Sequence, residues 1–209
     1  MTVNGQPAEL GRRVGVADEV RINGRKLALP KEKIYIKLNK PAGYVCTNAK
    51  FNGEKSVFDL IAGIKKRLFV VGRLDKDSRG LVILTNDGDW ANRMAHPRFQ
   101  HEKFYKVKIL KPDQSVGQTG KPEASFKKII SELEKGVDIG EGDGVARTKR
   151  IRYLGRNEFL IILTEGKKRQ IRRMFKVLGY GVEDLLRTRI GKVELGNLTE
   201  GKWEKIKVP

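Results

Sequence analysis

The chain has 209 residues, enough for one domain with a small appendage. Lysine and arginine number 44 and the acidic residues 25, giving a formal net charge of +19. This surplus favours a nucleic acid as partner, because a polyanion relieves the repulsion between like charges. One cysteine and two histidines exclude an internal disulfide and a Cys/His metal site. No apolar segment is long enough to span a membrane, so we expect a cytoplasmic protein.

Residues 1–30 have the pattern of a small β-rich piece. Asn4-Gly5 and Asn23-Gly24 are strong tight-turn signals between short alternating runs. Thirty residues cannot bury a self-sufficient core. The sequence therefore predicts a small unit at 1–30 in front of a domain at 31–209.

The rest of the chain alternates between strand and helix patterns. Strands are predicted at 34–38, 68–71, 81–84, 104–109, 145–153 and 159–164, and helices at 89–95, at 126–133 and from about residue 168. Most connections have hairpin length and few are long crossovers. This order predicts an α+β fold in which helices flank a central, mixed and largely antiparallel sheet.

A charged loop with glycine at both ends, Gly72–Gly80, separates two of the apolar strands. Asp75 has Arg73 and Arg79 close by in sequence, and nearby cations favour the ionised carboxylate. Such a group suits a nucleophile or a base rather than a general acid. Asp77 has the same neighbours, so spacing does not choose between the two, and an ordinary surface ion pair is the alternative.

The strand at 104–109 begins with two aromatic residues. Phe104 and Tyr105 point to opposite faces of a strand, so one is expected in the core while the other can face a cleft. A base stacked on such a ring gains about 1–3 kcal/mol. A purely structural tyrosine is the alternative.

The helix from about residue 168 carries two stripes with the spacing i, i+3, i+4, i+7. The apolar stripe is Ile171, Met174, Phe175 and Leu178, and the cationic stripe is Arg169, Arg172, Arg173 and Lys176. An offset of two residues places the stripes on opposite faces. The cationic stripe predicts a phosphate-contact surface, and a solvated helix face is the alternative.

Five segments together resemble bacterial ribosomal-RNA pseudouridine synthases of the RsuA/RluB/RluE/RluF family. The segments are 39–43 (NKPAG), 72–88 (GRLDKDSRGL followed by LTNDG), 101–105 (HEKFY), 165–174 (EGKKRQIRRM) and 187–191 (RTRIG). The resemblance extends from about Ile34 to Trp203, in order and in register, and implies this family's catalytic fold.

The resemblance also implies roles for individual residues. Asp75 matches the catalytic aspartate, and Tyr105 the tyrosine that packs against the target base. Arg172 matches the arginine that pairs with the catalytic carboxylate, and Arg73 a position linked to the flipped-out nucleotide. Further RNA contacts are expected at Lys40, Arg79, Lys103, Lys168, Arg169, Arg173 and Lys176.

The implied reaction is the isomerisation of a uridine to pseudouridine in ribosomal RNA, after the base has left its stack. It requires no cofactor and no metal, and we expect a monomer. The residues of these motifs resemble those of the large-subunit members of the family, which favours large-subunit ribosomal RNA as the substrate. A non-catalytic RNA-binding or ribosome-assembly factor is the alternative, and a DNA-binding protein is a weaker one because no helix-turn-helix pattern is present.

Residues 1–30 resemble the second half of a small RNA-binding module that is shared with a ribosomal protein. The two helices that usually precede its first strand are missing from the sequence. We therefore expect only part of this module.

Overall fold

The computed structural model describes residues 1–15, 17–27, 32–47, 49, 53–110 and 122–208, with the side chains of all of these except 122–125. The chain forms two compact units, Met1–Lys33 and Ile34–Pro209. The boundary between the units therefore lies three residues beyond the predicted one.

The first unit is a four-stranded antiparallel sheet in the order β2-β1-β3-β4. Its strands are β1 (Thr2–Val3), β2 (Gln6–Pro7), β3 (Val20–Ile22) and β4 (Arg25–Lys26). Asn4 and Asn23 have φ of 51° and 49°, and the glycine after each also has a positive φ. This is the backbone of the tight hairpin turns that both Asn-Gly pairs predict.

The second unit contains the longer elements. Its strands are β5 (Tyr35–Lys40), β6 (Tyr44–Val45), β7 (Lys55–Ser56), β8 (Phe69–Val71), β9 (Arg79–Thr85), β10 (Lys103–Ile109), β11 (Val137–Asp138), β12 (Val145–Ala146), β13 (Arg150–Gly155), β14 (Glu158–Leu163), β15 (Val182–Ile190), β16 (Val193–Glu194) and β17 (Trp203–Lys205). Its α-helices are α1 (Gly88–Ala95), α2 (Pro122–Lys135) and α3 (Gln170–Val177), with short 3-10 helices at Asp59–Ile61 and Pro97–Phe99.

The main sheet has the order β13-β14-β10-β15-β9-β5-β17, with β16 beside β15 and β8 beside β9. Its pairings are antiparallel except for that of β9 with β15, which is parallel. This sheet and its helices confirm the α+β prediction.

The predicted strand at 145–153 is instead two strands, β12 and β13. The break lies at Thr148, whose backbone N–H and hydroxyl both donate to the carbonyl oxygen of Leu133 in α2, at 2.9 and 3.2 Å. These bonds remove Thr148 from the sheet ladder. They also attach this corner of the sheet to the helix.

Helices cover the two faces of the main sheet at different places. On one face, Phe126 of α2 stacks on Tyr153 with ring centroids 4.4 Å apart, and Phe175 of α3 packs on Phe159. On the other face, Trp90 of α1 packs in a smaller cluster with Leu81 and residues near it. The larger core therefore lies between the sheet and α2 and α3.

The parallel contact between β9 and β15 requires glycine at position 80. Gly80 has a φ of +105° and pairs with Arg187. A Cβ atom at Gly80 would lie 2.4 Å from the carbonyl oxygen of Arg187 and 2.8 Å from its nitrogen. The loop that ends at Gly80 is thus held directly against β15.

We predict that Gly80→Ala lowers the free energy of unfolding by about 2–5 kcal/mol, because backbone strain and overpacking add. Gly155→Ala is the control, since Gly155 has a φ of +94° but open space around its Cβ position. Denaturant unfolding measures both. Equal losses for the two variants would contradict a steric requirement at Gly80.

Candidate active site

A solvent-open cavity of about 460 Å³ lies beside the loop between β8 and β9. It brings together Asp75 and Tyr105, which are far apart in the sequence. Its wall is partly apolar and its rim is cationic, with contributions from Leu163, Ile171, Leu185, Arg73, Lys168 and Arg169. The cavity is within the size range of small-molecule sites, which is about 300–1,000 Å³.

The sheet positions Tyr105. This residue lies in β10, is buried, and belongs to the larger core. Phe104 points to the opposite face, where the guanidinium of Arg189 lies 3.8 Å from the centre of its ring. The alternation predicted for the two aromatic residues is therefore present, and Tyr105 is the one that faces the cavity.

Lys40 holds the loop from the side of β5. Its side chain is fully buried, and its ammonium donates to the carbonyl oxygens of Pro41 at 2.9 Å, Lys76 at 3.2 Å and Ser78 at 2.6 Å. Burial lowers the pKa of Lys40 to about 8, an effect that electrostatic interactions with Cys46, Asp77 and Asp75 partly oppose. The prediction of Lys40 as an RNA contact is wrong, because no part of the side chain reaches solvent.

Arg187 of β15 holds the other end of the loop. It is 1% exposed and donates to the carbonyl oxygens of Leu81 at 2.8 Å, Gly72 at 2.7 Å and Arg73 at 3.3 Å. No role for Arg187 was predicted from the sequence. Arg187 lies two residues after Leu185 and so shares a strand face with it. This alternation was the signal that could have indicated a buried cation, which requires partners.

Asp77 takes the ion pairs that were expected at Asp75. Arg169 binds the carboxylate of Asp77 through two hydrogen bonds of 3.0 Å. Arg172 lies 3.4 Å from the same carboxylate and donates to the carbonyl oxygen of Asp77 at 2.9 Å. Burial alone would raise the pKa of Asp77, but the hydrogen bond from Arg169 and the charges of Arg172 and Arg169 lower it overall.

The prediction that Arg172 pairs with Asp75 is therefore wrong. α3 places this guanidinium between the loop and the start of β15, where it also donates to the carbonyl oxygen of Val182 at 2.9 Å. Among the described residues, Asp75 has no ion pair within 4 Å. Its carboxylate oxygens are thus available to a molecule in the cavity.

Three further residues that were predicted to contact RNA have side chains that are buried or bound to other groups of the protein. Arg79 forms a two-bond ion pair with Asp184, at 2.7 and 2.6 Å. Lys103 is buried, and burial together with the charge of Arg187 lowers its pKa. The remaining one, Arg173, has a side chain only 12% exposed, and its guanidinium is bound at one end of the β11–β12 hairpin.

The partners of Arg173 are the carbonyl oxygens of Ile139, Gly140 and Lys168 and the carboxylate of Asp143. Two of the four cations of the α3 stripe, Arg172 and Arg173, are therefore bound within the protein and are not free at the surface. Arg73, Lys168 and Lys176 do remain exposed, and none of them forms an ion pair in the part of the chain that the structure describes.

Across the described ranges, no group of three or more His, Cys, Asp or Glu side chains is arranged to hold a metal ion. Over the same residues, no helix is both long and apolar enough to cross a membrane.

We predict that Lys40 makes stability depend on pH between about 8 and 10.5. Its pKa is lower in the folded chain than in the unfolded chain, so the unfolded state binds more protons in this window and stability rises with pH. Relative to Lys40→Met, the free energy of unfolding of the unaltered chain should rise by about 3 kcal/mol across the window. Denaturant unfolding at several pH values measures this difference, and a constant difference would contradict the prediction.

Comparisons with known proteins identify the family of this chain. The family described as RNA pseudouridylate synthase matches residues 34–176. An uncharacterized RNA pseudouridine synthase of Aquifex aeolicus is 36% identical, over 98% of this chain and 79% of the relative. Ribosomal large subunit pseudouridine synthase B of Bacillus subtilis is 34% identical, over 95% of this chain and 78% of the relative.

Among solved structures, a crystal structure of pseudouridylate synthase superimposes with a TM-score of 0.71 at 28% identity. The match covers 99% of this chain and 84% of that one. The same fold thus accompanies the sequence similarity over nearly the whole chain. On these matches, the chain belongs to the RNA pseudouridylate synthase family.

Proposed function

We propose that this protein converts a uridine of large-subunit ribosomal RNA to pseudouridine, with Asp75 as the catalytic residue. The observation that carries the proposal is the open cavity that Asp75 and Tyr105 share. Within the described part of the chain, Asp75 forms no ion pair. The Bacillus subtilis relative, named as a large-subunit synthase, supports the choice of RNA. A protein that only binds RNA needs the cationic rim but no unpaired carboxylate inside the cavity.

Substrate binding requires the target uracil to leave the RNA stack, at a cost of a few kcal/mol. The ring of Tyr105 then packs against the flipped base, and the apolar side chains of Leu163 and Leu185 enclose it. Arg73 and Lys168 lie at the rim, where they neutralise the phosphates on either side of the flipped nucleotide.

The chemistry breaks the bond between N1 of the base and C1′ of the ribose. The base rotates, C5 bonds to C1′, C5 loses its proton and N1 gains one, so the atoms balance without a cofactor. Asp75 acts as the nucleophile or the base in this sequence, both of which require the ionised carboxylate. Lys40 and Arg169 are close enough to interact electrostatically with Asp75, but neither forms an ion pair with its carboxylate.

The remaining assignments are also proposals. Met1–Lys33 serves as the partial RNA-binding module, and its exposed Arg12 and Arg13 are available to phosphates. The protein acts in the cytoplasm as a monomer, without a cofactor.

We expect Asp75→Asn to abolish isomerisation, because the amide can act neither as the nucleophile nor as the base. Tritium release from ribosomal RNA labelled at carbon 5 of uridine should fall by a factor of at least about 10²–10⁴. Asp89→Asn, an exposed carboxylate on α1, is the control for the same chemical change. Release by Asp75→Asn at the rate of the control would remove Asp75 from this role.

Two cations of the 165–174 segment should behave differently. Lys168→Gln should weaken RNA binding and reduce the slope of log K against log salt by about one unit, the effect of one lost phosphate contact. Arg173→Gln should instead lower the free energy of unfolding by about 2–3 kcal/mol, because it leaves carbonyl acceptors without a donor. Salt titration of RNA binding and urea unfolding separate these outcomes, and the reverse pattern would refute the assignment.

A further inference from the structure

The face of the main sheet that is turned away from the cavity carries an ordered set of cations. The strand register places Arg150, Ile162, Phe104 and Arg189 side by side in one row, and Arg152, Leu160, Lys106 and Leu186 in the next. Directly paired residues point to the same face of a sheet. Tyr105, which alternates with these positions, lines the cavity, so both rows lie on the back of the active-site sheet.

This face is open at its outer strands. α2 packs on the other side of β13, through the stacking of Phe126 on Tyr153. On the back, Arg150, Arg152 and Lys106 are exposed, and so is Leu154, with 39% of its surface accessible. None of the three cations forms an ion pair in the described part of the chain.

Neighbouring charges leave a positive surplus here. Lys149 and Arg189 add two cations, and both contact Glu102, at 2.8 and 3.7 Å. The charges of Lys149, Arg189 and Arg150 help to lower the pKa of Glu102, with the hydrogen bond from Lys149 as the largest cause. Glu194 lies 3.7 Å from Arg189, and among the described residues no carboxylate forms an ion pair with Arg150. We call Lys106, Lys149, Arg150, Arg152 and Arg189 the back-face cations.

The geometry suits phosphates better than bases. Strands lie about 4.8 Å apart and alternate residues about 7 Å apart along a strand, so the two rows cover about 14 by 7 Å of nearly flat surface. Phe104 offers no open ring for stacking, because the guanidinium of Arg189 covers it. A flat group of cations without an aromatic platform is suited to sequence-independent contacts with a nucleic-acid backbone.

We propose that the back-face cations bind the phosphate backbone of a structured RNA segment separate from the segment whose uridine enters the cavity. The identity of this RNA rests on the proposed function, but the phosphate contact itself does not. The enzyme would thereby hold its substrate at two places on opposite sides of one sheet.

The test compares two triple variants that remove the same charge. The back-face variant is Lys106→Gln with Arg150→Gln and Arg152→Gln. The control replaces the exposed lysines of α2 in the same way, with Lys127→Gln, Lys128→Gln and Lys135→Gln. Binding to a long ribosomal-RNA fragment is measured over a range of salt concentrations, and tritium release is measured on a short hairpin that contains the target uridine.

We expect the back-face variant to reduce the salt slope for the long fragment by about 2–3 units, and the control by less than one. Hairpin turnover by the back-face variant should equal that of the unaltered protein. If the unaltered protein and both variants all fail to turn over the hairpin, the proposed function is contradicted. The binding comparison would still show whether the back-face cations contact RNA.

Three results would overturn the proposal. The first is an unchanged slope in the back-face variant. The second is an equal reduction of the salt slope in the control variant, which would show that the slope depends on net charge alone. The third is a concentration-dependent dimer that only the back-face variant abolishes, which would make this surface an interface between two copies of the chain.

Discussion

The active-site loop depends on two cations buried beneath it. Lys40 and Arg187 come from different strands, and their donors bind the carbonyl oxygens of Gly72, Arg73, Lys76 and Ser78, which lie on both sides of Asp75. Removing a charge from water is unfavourable by several kcal/mol unless hydrogen bonds replace the lost hydration. Here neutral carbonyl groups supply those bonds. Because these carbonyl groups satisfy the two cations, Asp75 need not pair with them, and it forms no ion pair with any described residue.

The outer side of the same loop is fixed by Asp77 instead. Arg169 and Arg172 of the α3 region bind Asp77, so the loop is attached both to the sheet beneath it and to the helix beside it. The two aspartates, which spacing alone did not distinguish, therefore differ in kind. Asp77 forms structural ion pairs, whereas Asp75 faces the cavity and forms no ion pair with any described residue. This separation explains how a very basic region can contain a carboxylate that is still available to a substrate.

The sequence pattern predicted most elements because they depend on local periodicity. The strands around the loop and the apolar stripe of α3 were confirmed, whereas the strand at 145–153 was interrupted by a tertiary bond to α2. The burial of Lys40 could also have been predicted, since Ile36, Leu38 and Lys40 alternate along one strand and share its buried face. The partner of Arg172 was not, because it depends on the distance between α3 and a loop almost one hundred residues earlier.

The net charge of +19 overstates the charge that RNA can contact. Lys40, Lys103 and Arg187 are buried, and Arg79, Arg169 and Arg173 bind carboxylates or carbonyl groups of the protein itself. The buried cations among these stabilise the fold around the cavity, so their effect on a bound phosphate is indirect. Exposed cations outside the conspicuous motifs must then provide much of the attraction. A motif rich in arginine therefore does not by itself locate an RNA surface; the hydrogen-bond partners of each guanidinium decide whether it faces the nucleic acid or supports the protein.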